Sequence, residues 1–124
     1  MRKPGAAAAG LSHLRVTLTP DFYLGPGRAD LMELIAETGS ISAAGKRMGM
    51  SYKRAWGLVQ ALNEGFGFAL VETSRGGSAQ GGAHLTDAGQ AVLAHYRTMQ
   101  ARTRVAIADE VAALRKLLDM SAQK

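Results

Sequence analysis

The segment from Gly39 to Trp56 constrains the fold of this chain more than any other stretch. Gly49 divides it into two short helical segments, and a glycine at that point can adopt the positive φ that a sharp helix exit requires. Gly45 is small enough to let two helices cross closely, and Ser51 is a suitable N-cap for the second helix. The segment therefore predicts two helices joined by a tight turn, with apolar contacts from Met48, Met50, Ala55 and Leu58.

Short strands and one further helix are expected around these two helices. Apolar and polar residues alternate from Leu14 to Thr19, which predicts a half-buried strand that resumes at 22–24 after Pro20. Residues 75–82 contain four glycines between two short apolar segments, so we expect a hairpin tip there; a linker is the alternative. The expected helices cover about 28–38, 42–48 and 52–65, and the expected hairpin strands cover 69–73 and 83–85.

The last helix is expected to be much longer than the others. Thr86 is its N-cap, Asp87 lies in its first turn, and nothing breaks it before about Leu118, which gives roughly 33 residues and about 50 Å. Its far half needs a partner, so we expect a homodimer; the alternative is a second helix that folds back on the same chain. The expected interface is an apolar stripe of Val92, Tyr96, Met99, Thr103, Ile107, Val111, Leu114 and Leu118.

Composition and charge narrow the class of partner. The 124 residues are 47% hydrophobic and 20% charged, which indicates one folded domain. The net charge of +5 favours a polyanion, either nucleic acid or an anionic membrane surface, and a merely basic protein is the alternative. No segment approaches the roughly 20 apolar residues of a membrane span, and residues 1–12 are typical of a flexible tail rather than a signal peptide. We therefore expect a cytoplasmic protein with no membrane partner.

The first turn of the helix over 52–65 carries the best candidates for contact with nucleic acid. Tyr52, Lys53 and Arg54 follow the cap residue Ser51, and arginine and lysine can bond guanine in the major groove of DNA. A solvated helix face is the alternative. The weaker candidates further along the helix are Gln60 and Asn63.

Two other places carry candidates for DNA contact. Ser40 and Ser42 lie where the helix over 42–48 begins, and hydroxyl groups at a helix start can bind a phosphate or simply cap the helix. Lys46 is either a phosphate contact or a solvated charge. An arginine at the base of a glycine-rich hairpin can reach the minor groove or the phosphates, and a functionless hairpin is the alternative. The candidates there are Arg75, Gly76 and Gly77.

Chemistry other than binding is not expected. Trp56 is expected in the core, because a buried indole supplies a large apolar area, and a stacking platform is the alternative. The histidines His13, His84 and His95 are scattered, whereas a metal site needs several converging ligands. The chain has no cysteine and no Gly-x-Ser-x-Gly motif. We therefore expect no enzyme, no metal site and no cofactor.

The order of these elements is that of a winged helix-turn-helix. Its characteristic residues are Gly39-Ser40-Ile41-Ser42, Ala44, Ser51-Tyr52-Lys53, Ala55-Trp56, Gly76-Gly77, Gly81-Gly82-Ala83, Leu85-Thr86 and Gly89. In these residues the chain resembles the N-terminal DNA-binding domain of ModE-type, molybdenum-dependent transcriptional regulators, which is itself similar to the DNA-binding domain of LysR-type regulators. The resemblance covers roughly residues 14–110.

The resemblance implies a mainly α fold with a small β-hairpin and a long C-terminal dimerisation helix, and it implies binding to double-stranded DNA. Full-length regulators of that family carry a molybdate-sensing region after the long helix, whereas this sequence ends at Lys124, so molybdate binding is not expected. We expect three parts, which are a flexible tail (1–12), a winged helix-turn-helix domain (13–86) and the dimerisation helix (87–124).

The leading hypothesis for function is a sequence-specific transcriptional regulator that acts as a homodimer. The helix over 52–65 would lie in the major groove, and the hairpin would contact the flanking backbone. The alternative is a protein-interaction module that pairs through its long helix with a full-length regulator and modulates it.

Overall fold

The computed structural model describes residues 10–74 and 82–122. The chain divides into two compact units, one over residues 15–96 and one that contains residues 10–14 together with residues 97–122. The fold is mainly helical, as expected, but the described residues form two small antiparallel hairpins rather than the single one expected, and helix ends differ from the expected ones by a few residues. The elements are β1 (Val16–Thr19), β2 (Phe22–Leu24), α1 (Pro26–Thr38), α2 (Ile41–Arg47), α3 (Tyr52–Phe66), β3 (Val71–Ser74), β4 (Gly82–Leu85) and α4 (Asp87–Ala122).

α1 supplies much of the core of the 15–96 unit. Leu31, Met32 and Ile35 are almost completely buried along it. Pro26 begins the helix, at a position where a backbone N–H would have no partner within the helix. Gly39 ends it with a φ of 72° and donates its N–H to the carbonyl of Ile35 at 2.8 Å. The expected helix and its glycine end are thus confirmed.

α2 and α3 cross at the tight turn that the sequence predicts. A Cβ on Gly45 would lie 2.9 Å from the Cβ of Ala55, which is closer than side-chain carbons pack. Gly49 has a φ of 72° in the turn. The hydroxyl of Ser51 then accepts a hydrogen bond from the Arg54 N–H at 3.1 Å. The close crossing, the turn and the N-cap are all confirmed.

The first strand pair differs from the expectation. Instead of one strand that resumes after Pro20, β1 and β2 form an antiparallel hairpin in which Val16 pairs with Leu24. The register shifts just after Thr17, so the strict alternation of a strand breaks there. Leu18 is 46% exposed as a result, and the core contacts come from β2.

β3 and β4 form the second hairpin, with Val71 paired to Leu85 at its open end, away from the tip. Both of these residues are buried. The strands expected at 69–73 and 83–85 are therefore confirmed, with small shifts in their ends. The tip of the hairpin, residues 75–81, lies outside the described residues.

α4 is 36 residues long and continues four residues beyond the expected end at Leu118. The hydroxyl of Thr86 accepts the Gly89 N–H at 3.0 Å, which confirms the expected N-cap. The Thr86 hydroxyl also donates to the carbonyl of Ala69 at 2.8 Å and so fixes the start of α4 against the loop before β3. None of the helices within residues 10–74 and 82–122 combines the length and hydropathy of a membrane span.

We expect Gly45→Val to lower the free energy of unfolding by about 1–3 kcal/mol, because the new side chain must push α2 away from Ala55. Urea unfolding followed by circular dichroism measures this change. Gly27→Val is the matched control, since Gly27 is exposed in the first turn of α1 and a Cβ there meets nothing within 4 Å. Equal losses in the two variants would contradict a special role for the crossing.

Candidate nucleic-acid interface

α3 has a core face and a solvent face. Ala55, Val59 and Leu62 are buried in the 15–96 unit. Successive residues of an α-helix are about 100° apart, so the opposite side of α3 can be assigned directly. The residues on that side, all of them exposed, are Lys53, Gly57, Gln60 and Glu64.

The first turn of α3 presents positive charge to solvent. Tyr52 is 57% exposed, and Lys53 and Arg54 are exposed as well. Within residues 10–74 and 82–122, neither of these two cations forms an ion pair. The hydroxyl of Ser51 is engaged in capping the helix. The structure thus brings these four candidates together at one end of one helix.

Trp56 is only half-buried, and the expected core position is wrong. Trp56 lies about 100° around the helix from Ala55, on the flank between the two faces, and the core positions of α3 are taken by Ala55 and Val59. The indole stacks on Tyr52 instead, with ring centroids 6.4 Å apart and an interplanar angle of 14°. An aromatic surface therefore lies next to the cations of the first turn.

The start of α2 is organised by capping. The hydroxyl of Ser40 accepts the Ala43 N–H at 3.0 Å, and the hydroxyl of Thr38 accepts the Ser40 N–H at 3.2 Å. The capping role considered for Ser40 is therefore confirmed. Ser42 and Lys46 are exposed. Phosphate binding by any of them stays a prediction.

The β3–β4 hairpin occupies the position of the wing. The candidates Arg75, Gly76 and Gly77 lie outside the described residues. In the strands, Glu72 and His84 are cross-strand neighbours, with 3.4 Å between the carboxylate Oε1 and the imidazole Nε2. Both side chains are more than half exposed, so the pair contributes little to stability. In the part of the chain that the structure describes, no histidine joins a group of three metal-ligating side chains.

Asn63 has a structural role that the sequence pattern does not reveal. Its Oδ1 accepts the N–H groups of Leu70 at 2.8 Å and Val71 at 3.2 Å, and its Nδ2 donates to the Val71 carbonyl at 3.1 Å. The interpretation of Asn63 as a weak DNA-contact candidate is therefore replaced. Its amide joins α3 to the start of the hairpin.

The stripe expected along α4 contains both buried and exposed residues. Tyr96 is 1% exposed in the single chain. Its ring has no surface left for a second copy, and its place in the expected dimer interface is corrected accordingly. Among the other stripe residues, Leu114 and Leu118 are more than half exposed, and the half-buried ones are Val92, Met99, Thr103, Ile107 and Val111.

A three-helix core, a tight turn before α3 and an antiparallel hairpin after it define a winged helix-turn-helix domain, a class of protein that places a helix in the major groove of DNA. Residues 29–90, half of the chain, match the bacterial regulatory helix-turn-helix proteins of the lysR family. The chain therefore belongs to this family and contains a DNA-binding domain of the type found in transcriptional regulators.

Curated relatives place the chain near ModE-type proteins, as its sequence motifs suggest. It is 45% identical over 78 residues to the molybdenum-pterin-binding protein MopB of Rhodobacter capsulatus. The matched segment covers 63% of this chain and 29% of that protein. It is 39% identical over 83 residues to the DNA-binding transcriptional dual regulator ModE of Escherichia coli K12. That matched segment covers 67% of this chain and 32% of that protein. The chain thus spans about a third or less of the length of these relatives.

Solved structures agree with this family assignment. The CbnR DNA-binding domain in complex with DNA is 31% identical, with a TM-score of 0.54, and the match covers 70% of this chain and 95% of that chain. Full-length CbnR complexed with its target DNA is 28% identical, with a TM-score of 0.50, over 73% of this chain and 28% of that chain. The relatives are regulators and binding proteins rather than enzymes.

We expect Asn63→Ala to destabilise the domain by about 1–3 kcal/mol, because two backbone N–H groups near β3 lose their acceptor. Asn63→Asp keeps the acceptor for both N–H groups, but its second oxygen replaces the donor to the Val71 carbonyl and repels it, so its stability should lie between those of the parent and Asn63→Ala. Thermal unfolding of the three proteins measures the order. Equal stability of parent and Asn63→Ala would contradict the structural role.

Proposed function

We propose that this chain is a sequence-specific, homodimeric DNA-binding regulator of transcription. The observation that carries the proposal is the first turn of α3, where exposed cations and an exposed tyrosine follow a capped helix start. The net charge of +5 adds a general attraction to DNA. A regulator of bacterial genes acts where the chromosome is, so the proposal includes a cytoplasmic location.

The residues of α3 would read base edges in the major groove. Arg54 can form two parallel bonds to guanine O6 and N7, and Lys53 can bond guanine or a phosphate. Tyr52 can contact a phosphate or a thymine methyl group. Ser51 lies at the helix start next to them, and Gln60 lies two turns further along the exposed face.

A second set of contacts would hold the flanking backbone. Ser42 and Lys46 are exposed on α2, next to the capping residue Ser40, and can bind phosphates there. On the hairpin, Arg75 supplies the charge, and small residues beside it let the backbone approach DNA closely. The small residues are Gly76 and Gly77.

The far part of α4 supports the proposed homodimer. Leu114, Leu117 and Leu118 are each more than half exposed in the single chain. Monomers rarely leave apolar side chains in such a continuous patch. Pairing two copies along this surface would cover the patch and would place two reading helices about one turn of DNA, roughly 34 Å, or a multiple of it apart.

The names of the relatives support DNA binding by this chain, but they do not support a molybdenum-binding site in it. CbnR is in complex with DNA in two solved structures, and ModE is described as a DNA-binding regulator. MopB is described as molybdenum-pterin-binding, but the match covers only 29% of that protein. We propose that the residues of this chain serve DNA binding and pairing, without a molybdate site.

The exposed leucines of α4 also suit a second function, which is pairing with a full-length regulator. Such a module would bind DNA weakly by itself and would form mixed dimers. A mobility-shift assay with the pure protein at several salt concentrations distinguishes the two functions, because only the first requires specific binding without another protein.

We expect Lys53→Ala with Arg54→Ala to reduce the affinity for a specific duplex by roughly tenfold or more, since each good base contact contributes about 1–3 kcal/mol. Folding should be unchanged because both side chains are exposed. Fluorescence anisotropy with a labelled duplex measures the affinity. Trp56, the single tryptophan, lies next to this turn and reports binding through its emission.

The matched control for this variant is Arg102→Ala with Arg104→Ala, which removes the same charge from exposed positions of α4. It should reduce binding to specific and random duplexes alike and only slightly. If the α3 variant and this control bind the specific duplex equally well, α3 is not the reading helix.

We expect Leu114→Ser with Leu118→Ser to turn a dimer into a monomer that binds DNA more weakly, because the two half-sites then bind independently. Light scattering at tens of micromolar measures the molar mass. Val105→Ser is the control, because Val105 is exposed on the opposite side of the same helix. A parent protein that is monomeric in this measurement would contradict the homodimer.

A further inference from the structure

Gly57 lies in the middle of α3, on its exposed face. Lys53 is one turn before it and Gln60 is one turn after it on the same side. A glycine in the interior of a helix makes the helix less stable than an alanine would. We therefore ask what favours glycine over alanine at this position.

The folded structure does not require glycine at position 57. A Cβ built on Gly57 meets nothing within 4 Å, and its φ is not positive. Three other glycines in the helices are different, because a Cβ on each would strike a neighbour. Gly45 would collide with Ala55, Gly65 with the ring of Phe22, and Gly89 with the carbonyl of Leu70.

The surroundings of Gly57 point to a close approach from outside the chain. Its side of α3 is opposite Ala55 and Val59, so the bare backbone there faces solvent. Exposed polar side chains lie before and after it, and the first turn of the same helix is cationic. A helix seated in the major groove comes nearest to the bases along such a face.

We infer that Gly57 is the point at which α3 approaches the base edges most closely, and that its missing side chain sets how deeply the helix enters the major groove. This inference rests on the proposed DNA-binding function. The depth of entry then decides whether Lys53 and Gln60 reach the bases on either side of that point. Gly57 is thus a positioning residue for base reading.

A size series at position 57 tests this inference. Gly57→Ala should raise the melting temperature by about 4 °C, because alanine favours the helix. It should also lower the affinity for a specific duplex by about tenfold, which is the loss of one base contact. Gly57→Leu should lower the affinity further, without a fall in melting temperature below that of the parent.

The specific duplex is one that the parent protein enriches from a random-sequence library, and a scrambled duplex of equal length is the second probe. Affinity for the scrambled duplex should change by less than about twofold, since non-specific binding depends on phosphates. Gly27→Ala is the matched control, because it adds the same methyl group to another exposed helical glycine with open space around it.

Each outcome has a distinct meaning. Specific affinity that falls with side-chain size while stability is kept supports the inference. Unchanged affinity of Gly57→Ala, or a fall in its melting temperature, overturns the inference and leaves the proposed function intact. If the parent protein enriches no duplex at all, the proposed function fails, and the role of Gly57 fails with it.

Discussion

The rest of the structure depends on the crossing of α2 and α3 at Gly45 and Ala55. A Cβ on Gly45 would lie 2.9 Å from the methyl group of Ala55, so the glycine lets the backbone of α2 pack directly against that methyl group. This contact fixes the height and direction of α3 on the core, while the opposite face stays in solvent. The charged side chains of the first turn of α3 are oriented toward solvent because this apolar contact holds the helix in place.

The features that the sequence predicted correctly are those that depend on local chemistry. Gly39 and Gly49 adopt positive φ where a helix must end, and Ser51 and Thr86 cap helices through N–H groups three residues away. Each of these features involves only residues within about one helical turn of each other. The first-turn candidates of α3 were found in the same way, because their position follows from the cap.

Features that depend on distant contacts could not be predicted. The burial of Trp56 is decided by which flank of α3 its neighbours cover, and spacing alone does not show this. Tyr96 has the spacing of an interface residue, yet it is already buried in the single chain. No pattern marks the three bonds of Asn63, and the register shift beside Leu18 depends on the partner strand.

The bonds of Asn63 have a consequence for how a domain of this kind would select its target. Because one amide joins α3 to the start of the hairpin, these two parts have little freedom to move separately. A rigid protein surface loses less conformational entropy when it binds, but it adapts poorly to DNA of the wrong shape. In the proposed complex the DNA would have to bend or narrow its groove to fit. Stiffness and groove width of the sequence would therefore influence affinity even at base pairs that no side chain touches.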